Sequence, residues 1–256
     1  MRVSDKYQRN GRIGSGGFGT VSKMKRLSDK ELLAGKFISI EKPSHHKYIE
    51  REVSNLASLR NDFILNMDDY FLTNESCDTT NLVLITEMAE RNLEEFVNAY
   101  DGLLDEDLIL NLFTQILMGT DYLHRNKIDH RDLKPTNILM FDKGKVAKIA
   151  DFGLSRYTLN NTEFKQTVDV GTTFYMAPEA RKGKPVPFIS DVYSIGIILH
   201  YMMAKEEPSF TEDIQKSTPK KYLTCAHFYL RLILSKDQQL DNYSSLILSC
   251  ILWKTC

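Results

Sequence analysis

The hydrophobic pattern of the sequence changes near residue 88, and this change most constrains what the chain can fold into. Residues 7–40 and 62–87 alternate short apolar stretches with glycine and polar turns, a pattern typical of antiparallel strands. Between them, residues 44–59 carry apolar side chains at helical spacing, with Ser44 as the predicted N-cap. Beyond residue 87, long helical patterns such as 108–124 dominate. The sequence therefore predicts a small strand-rich half followed by a larger helical half.

Length and composition narrow the class of protein. The 256 residues are 42% hydrophobic, which suits one large domain or two lobes and excludes a disordered chain. With a net charge of -1, bulk electrostatics favours neither nucleic acid nor a membrane surface, so we expect neither partner. The longest apolar run, Ile195–Met203, is too short to span a bilayer. Four scattered cysteines without zinc-type spacing predict a reduced intracellular protein, in the cytoplasm or alternatively in the nucleus.

A glycine-rich stretch begins the strand-rich half. Gly14, Gly16 and Gly19 form a G-x-G-x-x-G pattern, and their missing Cβ atoms would let backbone amides approach phosphate oxygens. A flexible turn between two strands is the alternative interpretation of such an isolated motif. The residues from Val21 onward predict a second strand, whereas a dinucleotide-binding turn must open into a helix. We therefore interpret the stretch as a candidate phosphate-binding hairpin.

Two charged residues follow the glycines. Lys36 lies in the third strand-like segment, where an ammonium group can hold phosphates as a compact point charge. An exposed edge lysine is the alternative interpretation. Glu52, on the predicted helix that follows, supplies an opposite charge that would fix the position of the lysine.

The strongest chemical signal is the segment His130–Asn137, which is followed by Asp151-Phe152-Gly153. Two carboxylates and an amide at this spacing supply one group to accept a hydroxyl proton and two oxygen ligands for magnesium. Ala177-Pro178-Glu179 completes the set of motifs. In this order, the motifs make the chain resemble a eukaryotic protein kinase domain of the serine/threonine type.

The resemblance implies an α+β, bilobal protein-kinase-like fold. A small antiparallel β-rich N-lobe with one regulatory helix would precede a larger, mainly helical C-lobe. The single kinase domain would cover residues 1–256, with the N-lobe at 1–87, the hinge at 88–92 and the C-lobe at 93–256. Residues 243–253 resemble the penultimate helix of the family, and the chain stops at Cys256 before the final helix, so we expect a truncated C-terminus.

The resemblance also assigns roles to individual residues. It makes Asp132 the catalytic base and gives Lys134, Lys36 and Glu52 further catalytic roles, with Glu52 paired to Lys36. It makes Asn137 and Asp151 the magnesium ligands, so ATP and Mg2+ are the expected cofactors. The residues expected to bind ATP through the glycine loop, the adenine pocket and the hinge are Ile13, Gly14, Ser15, Gly16, Gly17, Phe18, Gly19, Val21, Ala34, Lys36, Thr86, Glu87, Ala89 and Leu139.

Supporting residues are implied in the same way. Asp191 matches the helix aspartate that anchors the backbone of the catalytic loop. A stack of core side chains through both lobes is expected from Leu56, Met67, His130 and Phe152.

Substrate class and regulation follow from the residues around Asp132. Lys134-Pro135 resembles the serine/threonine type, so a protein with serine or threonine acceptors is the expected substrate. Arg131 matches the arginine that usually pairs with a phosphorylated residue of the activation segment. Thr167 is the preferred candidate for that residue, ahead of Thr158, Thr162 and Thr173. The oligomeric state stays open.

A second function remains as the alternative, a pseudokinase-like ATP-binding scaffold or a truncated inactive kinase. The family's late arginine, which pairs with the glutamate at the position of Glu179, has no counterpart before Cys256. The complete catalytic set favours the enzyme, since scaffolds usually lack some of these groups. That set consists of Lys36, Glu52, Asp132, Asn137 and Asp151.

Overall fold

A computed structural model describes residues 4–16, 19–41, 43–76, 79–157, 174–181, 183 and 186–206. Its N-terminal half is a five-stranded antiparallel sheet. The strands are β1 (Tyr7–Gly16), β2 (Gly19–Arg26), β3 (Leu32–Ser39), β4 (Met67–Ser76) and β5 (Thr79–Glu87), in the spatial order β1-β2-β3-β5-β4. The predicted strand-rich half is confirmed.

The alternating pattern of β3 assigns its side chains to the two faces of the sheet. Leu33 and Phe37 are buried on one face in a small cluster with Met24. Ala34, Lys36 and Ile38 must point to the opposite face, because successive side chains of a strand alternate. Ile38 joins the main core there, so this is the inner face of the sheet.

One helix, α1 (Pro43–Ser58), crosses this half between β3 and β4. Leu56 and Leu59 are buried, and Ile49 and Val53 pack against the main core, which confirms the predicted apolar stripe. The prediction of Ser44 as N-cap is wrong, since the helix already begins one residue earlier. Proline favours the first position of a helix because its φ is preset and its missing N–H is not needed there.

In the described part of the C-terminal half, the two longer helices are α3 (Glu106–Arg125) and α5 (Ile189–Ala204). Short helices lie at α2 (Leu93–Ala99) and α4 (Pro178–Arg181), and a 3₁₀ turn lies at Pro135–Asn137. The small strands are β6 (Arg91–Asn92), β7 (Ile128–Asp129), β8 (Ile138–Phe141), β9 (Val146–Ile149) and β10 (Arg156–Tyr157), which pair as β6-β8-β9 and β7-β10.

A continuous core joins the two halves. Leu112, Ile116 and Leu123 on one stripe of α3 belong to the same buried cluster as Leu56 of α1 and Phe152. The predicted helical pattern of residues 108–124 is therefore confirmed, and the predicted bilobal α+β architecture is observed. The boundaries of the lobes at 87 and 92 remain predictions.

The sequence predicts no membrane-spanning segment, and the helices of the described part of the chain bear on this prediction. None of its helices is long and apolar enough to cross a membrane. The helix expected over residues 243–253 lies outside the described residues.

Candidate active site

Lys36 forms the centre of a charged cluster between the two halves. Its Nζ lies 2.7 Å from Oε1 of Glu52 on α1 and 3.2 Å from Oδ1 of Asp151. Burial lowers the pKa of Lys36, but the nearby carboxylates of Asp151 and Glu52 outweigh this effect and raise the pKa overall. Lys36 is therefore a permanently charged cation under any physiological condition, and it joins the sheet, the helix and the Asp-Phe-Gly motif.

Asp132, Lys134 and Asn137 come together at the 3₁₀ turn. Nζ of Lys134 lies 3.0 Å from Oδ2 of Asp132, and Nδ2 of Asn137 donates to the same oxygen at 2.9 Å. The other oxygen, Oδ1 of Asp132, is buried and makes no hydrogen bond within the described residues. Burial raises the pKa of Asp132, and Lys134 counteracts the shift. One carboxylate oxygen is thus held in place while the other has the capacity to accept a proton.

The backbone of this loop is fastened by Asp191 on α5. Its carboxylate accepts a hydrogen bond from the amide of His130 at 2.8 Å and another from the amide of Arg131 at 2.8 Å. Arg131 has a φ of 68° and Asp151 has a φ of 65°, so both non-glycine residues adopt the left-handed conformation. Such backbone persists only when the surroundings enforce it, and Asp191 supplies that constraint at Arg131. The anchoring expected of Asp191 is observed.

The catalytic loop and the Asp-Phe-Gly motif are also joined directly. The amide of Ala150 donates to the carbonyl of Asn137 at 2.9 Å. The rings of His130 and Phe152 meet edge to face with centroids 5.3 Å apart. Both side chains are fully buried, and those of Leu56 and Met67, the remaining members of the expected core stack, are buried as well.

The glycine-rich stretch forms the hairpin between β1 and β2. Gly14 pairs with Val21 and Gly16 pairs with Gly19 across the hairpin. A Cβ atom on Gly19 would lie 2.1 Å from the carbonyl oxygen of Phe37 on β3, whereas one on Gly14 would meet nothing within 4 Å. Gly19 therefore permits close packing of two strands, and Gly14 leaves an open edge.

The other predicted nucleotide residues lie on the same side of the sheet or on β8. Val21 is the cross-strand partner of Lys36, and Thr86 is that of Ala34, so these side chains share the inner face. Leu139 on β8 is half-buried, as are Glu87 and Ala89. Ile13 is exposed, Ser15 pairs with Thr20, and Gly17 and Phe18 lie outside the described residues.

The oxygen donors of Asn137 and Asp151 suit magnesium, the ion that the motif predicts. The amide nitrogen of Asn137 faces Asp132, so the planar carboxamide directs its oxygen away from that carboxylate. Asp151 contacts Lys36 through Oδ1, and its side chain is 38% exposed. A carboxylate and an amide oxygen are hard ligands of the kind that magnesium prefers, so the residues fit the ion.

Sequence reasoning missed two ion pairs next to these residues, one with a buried carboxylate and one partly buried. Nε of Arg131 lies 2.7 Å from Oδ2 of Asp129, whose side chain is fully buried. Nζ of Lys148 on β9 lies 2.6 Å from Oε2 of Glu87, at the end of β5. The signal in each case is a charged residue within a strand-like apolar run, such as Ile128-Asp129 or Ala147-Lys148-Ile149.

The candidate phosphorylation sites cannot be compared with the structure. Thr158, Thr162, Thr167 and Thr173 lie outside the described residues, and nothing is described of the side chain of Glu179. The predicted roles of the other site residues remain predictions, although the structure describes the positions of all of them except Gly17 and Phe18.

The two-lobed fold and the arrangement of the site are those of a protein kinase domain, and comparison with known proteins agrees. The model of the protein kinase domain family matches residues 7–253. The chain is 34% identical over 207 residues to serine/threonine-protein kinase TIO of Arabidopsis thaliana, covering 79% of this chain and 15% of that protein. It is 34% identical over 220 residues to SNF1-like protein kinase ssp2 of Schizosaccharomyces pombe, covering 84% and 36% respectively.

A human relative is similar at the same level. Serine/threonine-protein kinase Nek5 of Homo sapiens is 32% identical over 228 residues, covering 88% of this chain and 31% of that protein. The chain therefore belongs to the protein kinase domain family, a class of ATP-dependent enzymes, and two of these three relatives are named serine/threonine-protein kinases. It spans less than two fifths of the length of these three relatives.

Proposed function

We propose that the protein transfers the γ-phosphate of ATP to serine or threonine hydroxyls of a protein substrate. The observation that carries this proposal is the joint position of Lys36, Glu52 and Asp151 in one ion-paired cluster. Such a cluster needs contributions from a sheet, a helix and a loop that are distant in sequence. The relatives named serine/threonine kinases support the acceptor class.

In this mechanism, Lys36 holds the α and β phosphates of ATP while Glu52 keeps its ammonium group in place. The inner face of the sheet around Val21, Ala34 and Thr86, together with Leu139, receives the adenine ring. The backbone of the hinge at Glu87 and Ala89 binds the edge of the ring. The hairpin of Gly14, Gly16 and Gly19 covers the phosphates.

Asp132 acts at the other end of the cleft. Its Oδ2 is held by Lys134 and Asn137, which leaves Oδ1 to orient the acceptor hydroxyl and to take its proton. Lys134 also places a positive charge beside the phosphoryl group, where it stabilises the negative charge that develops during transfer. Much of the rate enhancement then comes from positioning and charge neutralisation.

Asn137 and Asp151 would hold Mg2+ through their oxygen atoms. When bound, the ion neutralises charge on the phosphate oxygens and orients them. The amide of Ala150 donates a hydrogen bond to the backbone carbonyl of Asn137. This bond fixes the distance between the catalytic loop and the Asp-Phe-Gly motif, which carry the two ligands.

The test is transfer of labelled γ-phosphate to a mixed protein acceptor, with and without Mg2+, followed by analysis of the phosphorylated amino acids. We expect Mg2+-dependent label on serine and threonine. Label on tyrosine alone would contradict the acceptor class. Binding of ATP without any transfer above a protein-free reaction would favour the alternative, an ATP-binding scaffold.

A further inference from the structure

Asp129 occupies an unusual position for a carboxylate, since it is fully buried on β7, immediately before His130 of the catalytic loop. Its Oδ2 accepts a hydrogen bond from Nε of Arg131 at 2.7 Å. Its Oδ1 accepts one from the amide of Phe188 at 3.1 Å, immediately before α5. The carboxylate therefore links the side chain next to Asp132 to the start of the helix that carries Asp191.

A second buried carboxylate lies close to the first. Ligand atoms of His124, Asp129 and Asp191 lie within 4.8 Å of one another, and Nε2 of His124 is 3.0 Å from Oδ2 of Asp191. Two carboxylates in a dry environment repel each other unless cations lie between them. Arg131, only 14% exposed, is the permanent cation that contacts Asp129.

Arg131 is consequently fixed at both ends. Asp191 accepts a hydrogen bond from its backbone amide, and Asp129 pairs with its guanidinium group. Because Asp132 is the next residue, the direction in which its carboxylate enters the cleft depends on this double attachment.

The carboxylates near Arg131 also affect which other anions its guanidinium group can bind. A phosphate group near this guanidinium would approach the carboxylates of Asp129 and Asp191 as well. Repulsion between like charges in a poorly solvated site opposes such a partner. The resemblance implies a phosphorylated residue as the anion for Arg131, whereas here Nε of its guanidinium group already pairs with a carboxylate of the chain.

We propose that Asp129 is the built-in anionic partner of Arg131 and a positioning residue for Asp132, so that the catalytic loop is ordered without a phosphate on the activation segment. This inference rests on the proposed function, because it concerns the loop that carries the catalytic base. It extends that function to regulation, since the enzyme would be active as synthesised.

The first test compares the chain before and after phosphatase treatment, with the absence of phosphate verified by intact mass. We expect kcat to change by less than about threefold, because the ordering anion is internal. A loss of roughly tenfold or more on treatment, recovered after rephosphorylation, would overturn the inference. This comparison needs no substitution and therefore does not depend on the folding of a variant.

The second test uses Asp129→Asn in the phosphate-free chain, which keeps the shape of the side chain and removes its charge. We expect kcat to fall by about tenfold or more while KM for ATP changes by less than about threefold, because the ATP cluster around Lys36 is untouched. The matched control is Asp29→Asn, which removes the exposed partner of Arg26 at 3.0 Å in the N-terminal half. Its kcat should equal that of the unmodified chain.

Equal kcat for Asp129→Asn and the unmodified chain would contradict the positioning role, and so would a parallel rise in KM for ATP without a fall in kcat. If Asp129→Asn loses both its activity and its cooperative unfolding transition, the variant has not folded. The comparison before and after phosphatase treatment of the unmodified chain then decides whether the inference holds. If the unmodified chain transfers no phosphate in either phosphorylation state, the proposed function fails, and this result is distinct from every outcome above.

Discussion

The Nζ atom of Lys36 lies 2.7 Å from Oε1 of Glu52, a residue on a different element that is almost completely buried. The same ammonium group lies 3.2 Å from Asp151 at the opposite side of the cleft. A cation shared by two carboxylates is held more rigidly than one in a single pair, because each contact restricts the same side chain. The position of the ammonium group is therefore sensitive to the docking of α1.

Removing the charge of Glu52 should impair ATP use. In Glu52→Gln, Lys36 loses the charge of one of the two carboxylates described beside it and keeps that of Asp151, so we expect the ammonium group to move toward Asp151 and away from the phosphates. We predict that kcat/KM for ATP falls by roughly 10- to 100-fold. Steady-state kinetics over a range of ATP concentrations measures this. Glu50→Gln, at an exposed position of the same helix, is the control and should match the unmodified chain. Equal kinetics for both variants would refute the prediction.

Two of the hairpin glycines, Gly14 and Gly19, should respond differently to alanine. In Gly19→Ala the new Cβ would lie 2.1 Å from the carbonyl oxygen of Phe37, so the strands must separate. We predict a loss of about 1 to 3 kcal/mol in the free energy of unfolding, as for other overpacked sites. Gly14→Ala meets nothing within 4 Å and should leave stability unchanged. Urea unfolding of the two variants measures both effects, and equal stabilities would contradict the assigned packing.

The ion pair of Lys148 and Glu87 should stabilise the junction between β9 and the end of β5. Both oxygens of Glu87 accept hydrogen bonds from Nζ, at 2.8 and 2.6 Å, and the lysine side chain is only 13% exposed. We predict that Lys148→Met lowers the free energy of unfolding by about 1 to 2 kcal/mol. Lys145→Met, at an exposed position one residue before β9, should have no such effect. Equal free energies of unfolding for the two variants would mean that the ion pair of Lys148 and Glu87 does not contribute to stability.

The stability of the protein should depend on pH through Asp129. Burial raises the pKa of Asp129 from 3.8 to about 6, Asp191 adds to this shift and Arg131 opposes it. The folded state therefore binds the proton more tightly than the unfolded state. The stability from the protonated carboxyl is fully present below pH 3.8 and is lost as the pH rises through about 6.

The measurement is the free energy of unfolding of the unmodified chain minus that of Asp129→Asn, determined from pH 4 to pH 7. We predict that this difference falls by about 2 to 3 kcal/mol across the range. Arg131, Asp191 and His124 face Asp129 in both proteins, so the difference mainly reports Asp129 itself. A difference that does not vary with pH would show that this carboxyl titrates normally.

Much of the fold could be predicted because its elements have clear local patterns. The alternation in β3 and the helical stripe of α3 depend on residues close in sequence, and both were predicted correctly. The pairing of Lys36 with Glu52 could also be predicted, from opposite charges and from the order of the motifs. The start of α1 was wrong by two residues, since an N-cap at Ser44 would begin the helix at residue 45, because Pro43 and Ser44 both favour helix beginnings.

The remaining features depend on tertiary contacts that no local pattern encodes. The contact of Asp129 with Arg131 is only one of two attachments of this arginine. The other is made by Asp191, which lies about sixty residues later in the sequence. The approach of Gly19 to Phe37 likewise depends on how two strands pack. In the sequence, Gly19 appears as an ordinary glycine, and Asp129 appears as a single charge within an apolar run.

The most direct test of the proposed function is a comparison of the unmodified chain with Asp132→Asn, in which ATP binding and phosphate transfer are measured on the same samples. The substitution keeps the shape of the side chain and its contact with Asn137 but removes the group that takes the proton. We predict unchanged ATP affinity and a fall in transfer of about 100-fold or more. Equal transfer by both proteins, at the level of a protein-free reaction, would contradict the assignment of this chain as an active kinase.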